Sequence, residues 1–200
     1  MQINKEVLKS LNPCFDRYEH FLEHHANFSG SLSDFMELPN VNYDDKIWVA
    51  EKVLTKNQAV SWAVLCAESV AHIFEEKYPE DKRFSDCIDF LKTVKDFNNL
   101  TDTETEEIEK HRDIIGDCYA TNAAYYAALA ARYAAHAARY ALCVAAYNAI
   151  RAATNAATYA SYAATYASYA ANAASDSNKI AAQESQEELN IQFLRMACSL

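Results

Sequence analysis

The fold is decided by residues 119–174, YATNAAYYAALAARYAAHAARYALCVAAYNAIRAATNAATYASYAATYASYAANAA. This stretch holds 27 of the chain's 36 Ala and ten of its 13 Tyr, and it contains neither Gly nor Pro. Ala is the strongest intrinsic helix former, so nothing local competes with helix here. Tyr126, Leu129, Tyr133, His136, Tyr140, Cys143, Tyr147 and Ile150 recur at alternating spacings of three and four. A parallel series of Ala, from Ala124 to Ala156, does the same on roughly the opposite side of the helical wheel. One seam is bulky and the other small, and the flanking positions are mostly Ala. A helix without a wide polar face belongs at the centre of a bundle. The small seam lets a neighbour approach near the lower end of the ~8–10 Å interaxial range.

After Ala156 the phase changes. Tyr159, Tyr162, Tyr166 and Tyr169 form a new seam, flanked by Thr158, Ser161, Thr165 and Ser168. One continuous helix over all these residues would be about 84 Å long. A compact chain of this size has a radius of gyration of about 16–17 Å. The region is therefore expected to turn at Thr154–Thr158 and form a central Ala/Tyr-rich helical hairpin, with a second break at Gly116–Asn122.

Working outward, the chain has 200 residues, 2 Gly and 3 Pro. Folds that place glycines at special backbone positions are excluded: β-sandwiches, dinucleotide-binding domains and phosphate-binding loops. The prediction is an all-α, single-domain helical bundle of six to eight helices. Residues 1–44 read as an N-terminal helical extension and loop. Residues 45–200 read as the bundle, with its Ala-rich core at 119–174. A first helix is expected from Asn12-Pro13 to His25, then a loop with one turn at Leu32–Met36. Asp44 or Asp45 is expected to cap a helix through Leu54. The next helix starts near Asn57 and ends at Tyr78-Pro79, and Asp81 caps one that runs to Phe97. Thr103 followed by Glu106 fits a capping box. Ser175-Asp176-Ser177 caps a last helix to Met196, with Ile180, Ile191 and Leu194 on its apolar side.

The net charge is -10, with 18 basic against 28 acidic residues. That balance argues against a general nucleic-acid binder. The charge is also uneven. Residues 119–174 carry three Arg and no acid, whereas residues 1–118 carry a net of -11. The densest acidic run is Asp102–Glu109, in a helix first turn where negative charge suits the macrodipole. With Glu75, Glu76, Glu80 and Asp81, its members Asp102, Glu104, Glu106, Glu107 and Glu109 form the expected partner-binding surface.

No catalytic, cofactor-binding or metal-binding set emerges from the spacing. The six Cys are scattered with no CxxC, and they read as buried thiols. His20 and His24 share a helix face with Glu23, which reads as a solvated surface. His136, in the bulky seam, reads as a core residue bonded to a Tyr hydroxyl. His72 and His111 have no nucleophile at a recognisable spacing. The N-terminus is too polar for a signal peptide, and charged and amide residues interrupt the Ala-rich run. A cytoplasmic protein without a membrane span is expected.

One stretch carries a family resemblance. Trp62-Ala63-Val64-Leu65-Cys66-Ala67-Glu68-Ser69-Val70, then Phe74-Glu75-Glu76-Lys77-Tyr78-Pro79 and Asp81-Lys82-Arg83, is similar to the opening signature of a family of bacterial immunity proteins. That family is described as like the fifth class of polymorphic-toxin immunity proteins. The resemblance extends over roughly residues 45–196, through the Ala-rich helices to the Glu/Gln-rich end. It implies a non-enzymatic inhibitor that neutralises a toxin or effector by binding it. Two other readings stand beside it. One is a phage or mobile-element anti-defence protein whose acidic half mimics nucleic acid. The other is an enzyme with a buried site at His136. The expected partner is a protein (toxin, nuclease or defence protein), and the Ala-rich helices could also pair two copies in a homodimer.

Overall fold

The computed structural model describes residues 1–116, 129, 133–134, 137–138, 146–171 and 176–199. The elements run in the order β1 (Ile3–Asn4), α1 (Lys5–Ser10), α2 (Phe15–His25), β2 (Ser29–Gly30), α3 (Leu32–Met36), α4 (Tyr43–Val53), α5 (Lys56–Ser69), α6 (Ala71–Lys77), α7 (Arg83–Thr93), α8 (Asp102–Gly116), α9 (Ala146–Ala171) and α10 (Asp176–Cys198). The two short strands pair antiparallel, Ile3 opposite Gly30 and Asn4 opposite Ser29. The protein is all-α otherwise. Ten helices occur among the described residues instead of six to eight. The additional ones are α1, α3 and the product of a division at Val70.

That division splits a helix expected to run unbroken to Tyr78. Val70 leaves the helical region at φ -112° and ψ 6°. Just before it, the Ser69 hydroxyl donates to the Cys66 carbonyl at 2.7 Å. This back-bond competes with the last helical turn.

The opposite correction applies at Thr154–Thr158. No turn occurs there, because α9 is continuous over 26 residues, about 39 Å. The polar residues that suggested a break are absorbed by the helix itself. The Thr158 hydroxyl donates to the Thr154 carbonyl at 3.0 Å, and Ser161 donates to Ala157 at 3.2 Å. Ala152, Ala153, Ala156, Ala157, Ala160 and Ala163 form one buried face across the phase change. Tyr133 stacks on Tyr159 with ring centroids 5.0 Å apart. Tyr133 thus lies against α9. Most of the expected central helix Tyr126–Ile150, and the break expected beyond Gly116, lie outside the described residues.

The centre of the described structure is the three-way packing of α5, α9 and α10. From α5, Ala59, Val60, Trp62, Ala63, Val64, Cys66 and Ala67 are buried. The Ala face of α9 is covered by these helices of the same chain, so the described part of the small seam works within one molecule. α4 adds Ile47, Val49 and Ala50 to the core, and α7 adds Phe84, Cys87, Ile88 and Leu91. α8 then packs on α7.

Several helix starts are displaced from their expected caps. Asn42, not Asp44 or Asp45, caps α4 by accepting from Asp45 N at 2.8 Å. Thr55 and Gln58 form the capping box of α5. Lys82 precedes α7, and Asp81 accepts from Arg83 N at 3.2 Å. In α10 the inward residues are Gln186, Asn190, Leu194 and Ala197, whereas Ile180 is 57% exposed. Cys66 and Cys87 are buried as expected, while Cys14 is exposed and Cys198 intermediate. Cys118 and Cys143 lie outside the described residues.

Two measurements test this packing. Ala160→Leu keeps helix propensity but inserts a large side chain into the closed α9 face. A loss of about 1–3 kcal/mol is expected in urea denaturation; an unchanged midpoint contradicts the close approach. Burial also raises the Cys66 thiol well above its usual value, that of Cys87 to about 12, and the Tyr43 phenol above its usual range. The folded chain then holds protons that the unfolded chain releases from about pH 9 upward. Under reducing conditions, stability should fall by roughly 1.4 kcal/mol per pH unit for each of the two thiols above about pH 9, and for the Tyr43 phenol as well above about pH 10.

Candidate partner-binding surface

All five acids of the 102–109 run lie on α8, but they are not equivalent. The capping box is Thr101 with Glu104, two residues earlier than the expected Thr103 and Glu106. Glu104 N donates to Thr101 Oγ1 at 3.2 Å, and Thr101 N donates to the Glu104 carboxylate at 2.8 Å. Bonds from the Thr101 backbone and hydroxyl hold the Glu104 carboxyl below its ordinary value. Glu107 pairs with Lys110 at 3.0 Å and lies 4.0 Å from His111. Glu104 and Glu107 are thus committed to their own helix.

The remaining acids form a pattern. Asp102, Glu106, Glu109 and Asp113 are exposed and stand at i, i+4, i+7 and i+11. That spacing places them along one side of a helix, over about 16 Å. Ile108, on another side, is wholly buried. Asp113 escapes a reading by charge density because it lies beyond the dense run and follows Arg112, which donates to it at 2.8 Å. Helical periodicity applied past Glu109 would have found it.

Glu80 and Asp81 do not join Asp102. The Arg83 guanidinium grips Asp81 through Nε at 2.9 Å and Nη2 at 2.5 Å, which holds its carboxyl below the usual range. Arg83 Nη1 also donates to the Ile114 carbonyl at 3.4 Å. Asp81 therefore sits by the end of α8 remote from Asp102, about 18 Å along its axis. Glu75 and Glu76 belong to α6, which packs on α5, α7 and α9. Of the nine expected residues, Asp102, Glu106 and Glu109 lie on the stripe, Glu104 and Glu107 are committed within α8, and Asp81 stands by the far end of α8, near Asp113.

The histidines resolve differently. His111 stacks on Phe90 with ring centroids 5.2 Å apart, and desolvation pulls its pKa down despite the nearby Glu107. His72 is exposed on α6. His136 lies outside the described residues. His20, Glu23 and His24 are exposed on α2.

A buried polar junction between α4, α5, α9 and α10 was not anticipated from the sequence. Asn190 is fully buried. Its Nδ2 lies 3.1 Å from the Ala157 carbonyl, 3.0 Å from Ser161 Oγ and 3.4 Å from the Tyr43 hydroxyl. Its Oδ1 accepts from Gln186 Nε2 at 3.2 Å, and Gln186 donates as well to Ser69 at 2.9 Å. The Trp62 indole N–H donates to the Asn190 main-chain carbonyl at 3.0 Å. Desolvation is what raises the Tyr43 phenol. Every one of these groups has a partner, and no nucleophile stands beside a base, so the junction reads as structural. The available cue was Gln186-x-x-x-Asn190-x-x-x-Leu194, polar residues in phase with an apolar one.

No helix among the described residues is long and apolar enough to cross a membrane. No protein-family model matches the chain, and no curated protein or solved structure matches it either.

Asn190→Leu tests the junction. It leaves Gln186 and Tyr43 with one partner fewer in a dry site, so stability should fall by about 1–3 kcal/mol in urea denaturation. A neutral result would mean that the surrounding groups re-pair.

Proposed function

We propose that this chain is a non-enzymatic binding protein, an immunity or antitoxin-like inhibitor that neutralises a basic toxin or effector by docking on it. The observation that carries the reading is the stripe of Asp102, Glu106, Glu109 and Asp113 on the open side of α8. Like charges at i, i+4 weaken a helix by a few tenths of a kcal/mol. An exposed row of acids along one side of a helix suits a surface that meets positive charge. Acidic inhibitors of basic enzymes gain association rate from this complementarity, and the gain declines with salt. The resemblance of residues 62–83 to bacterial immunity proteins points in the same direction.

The test is affinity capture from the native host at low salt, with mass spectrometry of the captured proteins. The expected result is a basic protein whose toxic or enzymatic activity the chain abolishes. The Asp102→Asn, Glu106→Gln, Glu109→Gln variant should stay folded, its helices checked by circular dichroism, yet bind at least about tenfold more weakly, with a shallower salt dependence. Binding that is indifferent to both salt and the triple variant overturns the assignment of this surface. Capture of a nucleic-acid-binding defence protein instead would favour charge mimicry over toxin immunity.

A further inference from the structure

His20, Glu23 and His24 occupy positions i, i+3 and i+4 on the exposed side of α2. One potential ligand atom from each lies within 4.8 Å of the others, and among the described residues this is the one such group of three. The neighbouring backbone settles which ring nitrogens are available. His20 Nε2 lies 2.9 Å from the Asn40 carbonyl oxygen, and His24 Nδ1 lies 2.9 Å from the His20 carbonyl oxygen. A carbonyl oxygen only accepts, so each of these nitrogens carries the proton and donates it. The neutral rings then keep their lone pairs on Nδ1 of His20 and Nε2 of His24.

A metal-binding imidazole is characteristically held in this way, one nitrogen donating to a carbonyl or carboxylate while the other faces the ion. The hold on His20 comes from a separate element. Asn40 adopts the left-handed conformation at φ 59°, which an Asn tolerates better than most residues. His25, next in sequence, is tied to the Pro39 carbonyl at 2.6 Å and stands outside the group.

We propose that His20, Glu23 and His24 bind a divalent transition-metal ion of the zinc class. Two imidazoles and one carboxylate suit zinc and its neighbours, whereas magnesium and calcium prefer all-oxygen shells. Bonds of about 2.0–2.1 Å place ligand atoms about 3.3 Å apart in a tetrahedral site. The three side chains are exposed and close to that spacing by rotating about their own bonds. Three protein ligands leave a fourth position for water or for a group from a partner. The ion would clamp α2 to the Pro39–Asn40 loop through the His20–Asn40 bond.

Zinc titration of the full chain by calorimetry, under reducing conditions and in a Cys14→Ser background, tests the site. One ion per chain is expected. His20→Ala and His24→Ala should each weaken binding at least about tenfold, Glu23→Gln should weaken it less, and His25→Ala should leave it unchanged. Circular dichroism checks that each variant keeps its helices. Cobalt(II) should give a visible ligand-field band that His24→Ala removes. The proposal is overturned if no stoichiometric binding occurs in this background, if binding survives both His→Ala variants, or if calcium competes equally with zinc.

Discussion

The bundle depends on the close approach of α5, α9 and α10 around Trp62. The indole is fully buried, so its N–H must find an acceptor within the core. The Asn190 carbonyl of α10 supplies it at 3.0 Å. That bond sets where α10 lies along α5. The Ala face of α9 makes the arrangement possible, because larger side chains would hold the helices apart. The outer helices follow from this centre. α7 packs on α5 and α8 packs on α7, so the acidic stripe is carried on the outermost of these layers.

Much of this was legible in the sequence, for physical reasons that differ by element. The all-α class followed from Ala content and missing glycines, both properties of the whole chain that no single contact can overturn. The inward residues of α7 followed from a strong 3.6-residue period, since Phe84, Cys87, Ile88 and Leu91 are buried as spaced. Caps were less legible. Thr101, Thr103, Glu104 and Glu106 offer two overlapping capping boxes, and local sequence ranks them equally. Breaks were least legible. Val70 ends a helix although no Gly or Pro is near, while Thr154-Asn155 interrupts nothing. In both places a hydroxyl bonds back to its own helix, and the outcome depends on what packs around it.

The surface features show a similar divide. Trp62, Ala63, Cys66 and Ala67 are all buried. Glu68 faces outward and pairs with Lys92 of α7. This stretch therefore encodes how α5 enters the core. The acidic run was visible as composition, but which of its acids share one exposed side of α8 needed the helix register. His20 and His24 were visible as one face of a helix. The Asn40 carbonyl that fixes the His20 ring comes from a loop twenty residues away, and no local pattern connects the two.

The Asn190 junction answers a problem created by the Ala-rich core itself. Ala faces are smooth, so sliding one helix along another changes the buried area little. Hydrophobic burial scales with area and has no direction, so it cannot by itself choose among such registers. Side-chain hydrogen bonds can. Asn190 reaches the Ala157 carbonyl and Ser161 Oγ in one alignment of α10 on α9, and a slip of one turn would strand its amide in a dry site. Leaving such a group unpaired costs about 1–3 kcal/mol, which outweighs the small change in buried area that sliding brings. A single buried Asn fixes register by the same logic in coiled coils. The junction thus complements the Ala seam: the small side chains permit close packing, and the buried amide makes one packing better than its neighbours.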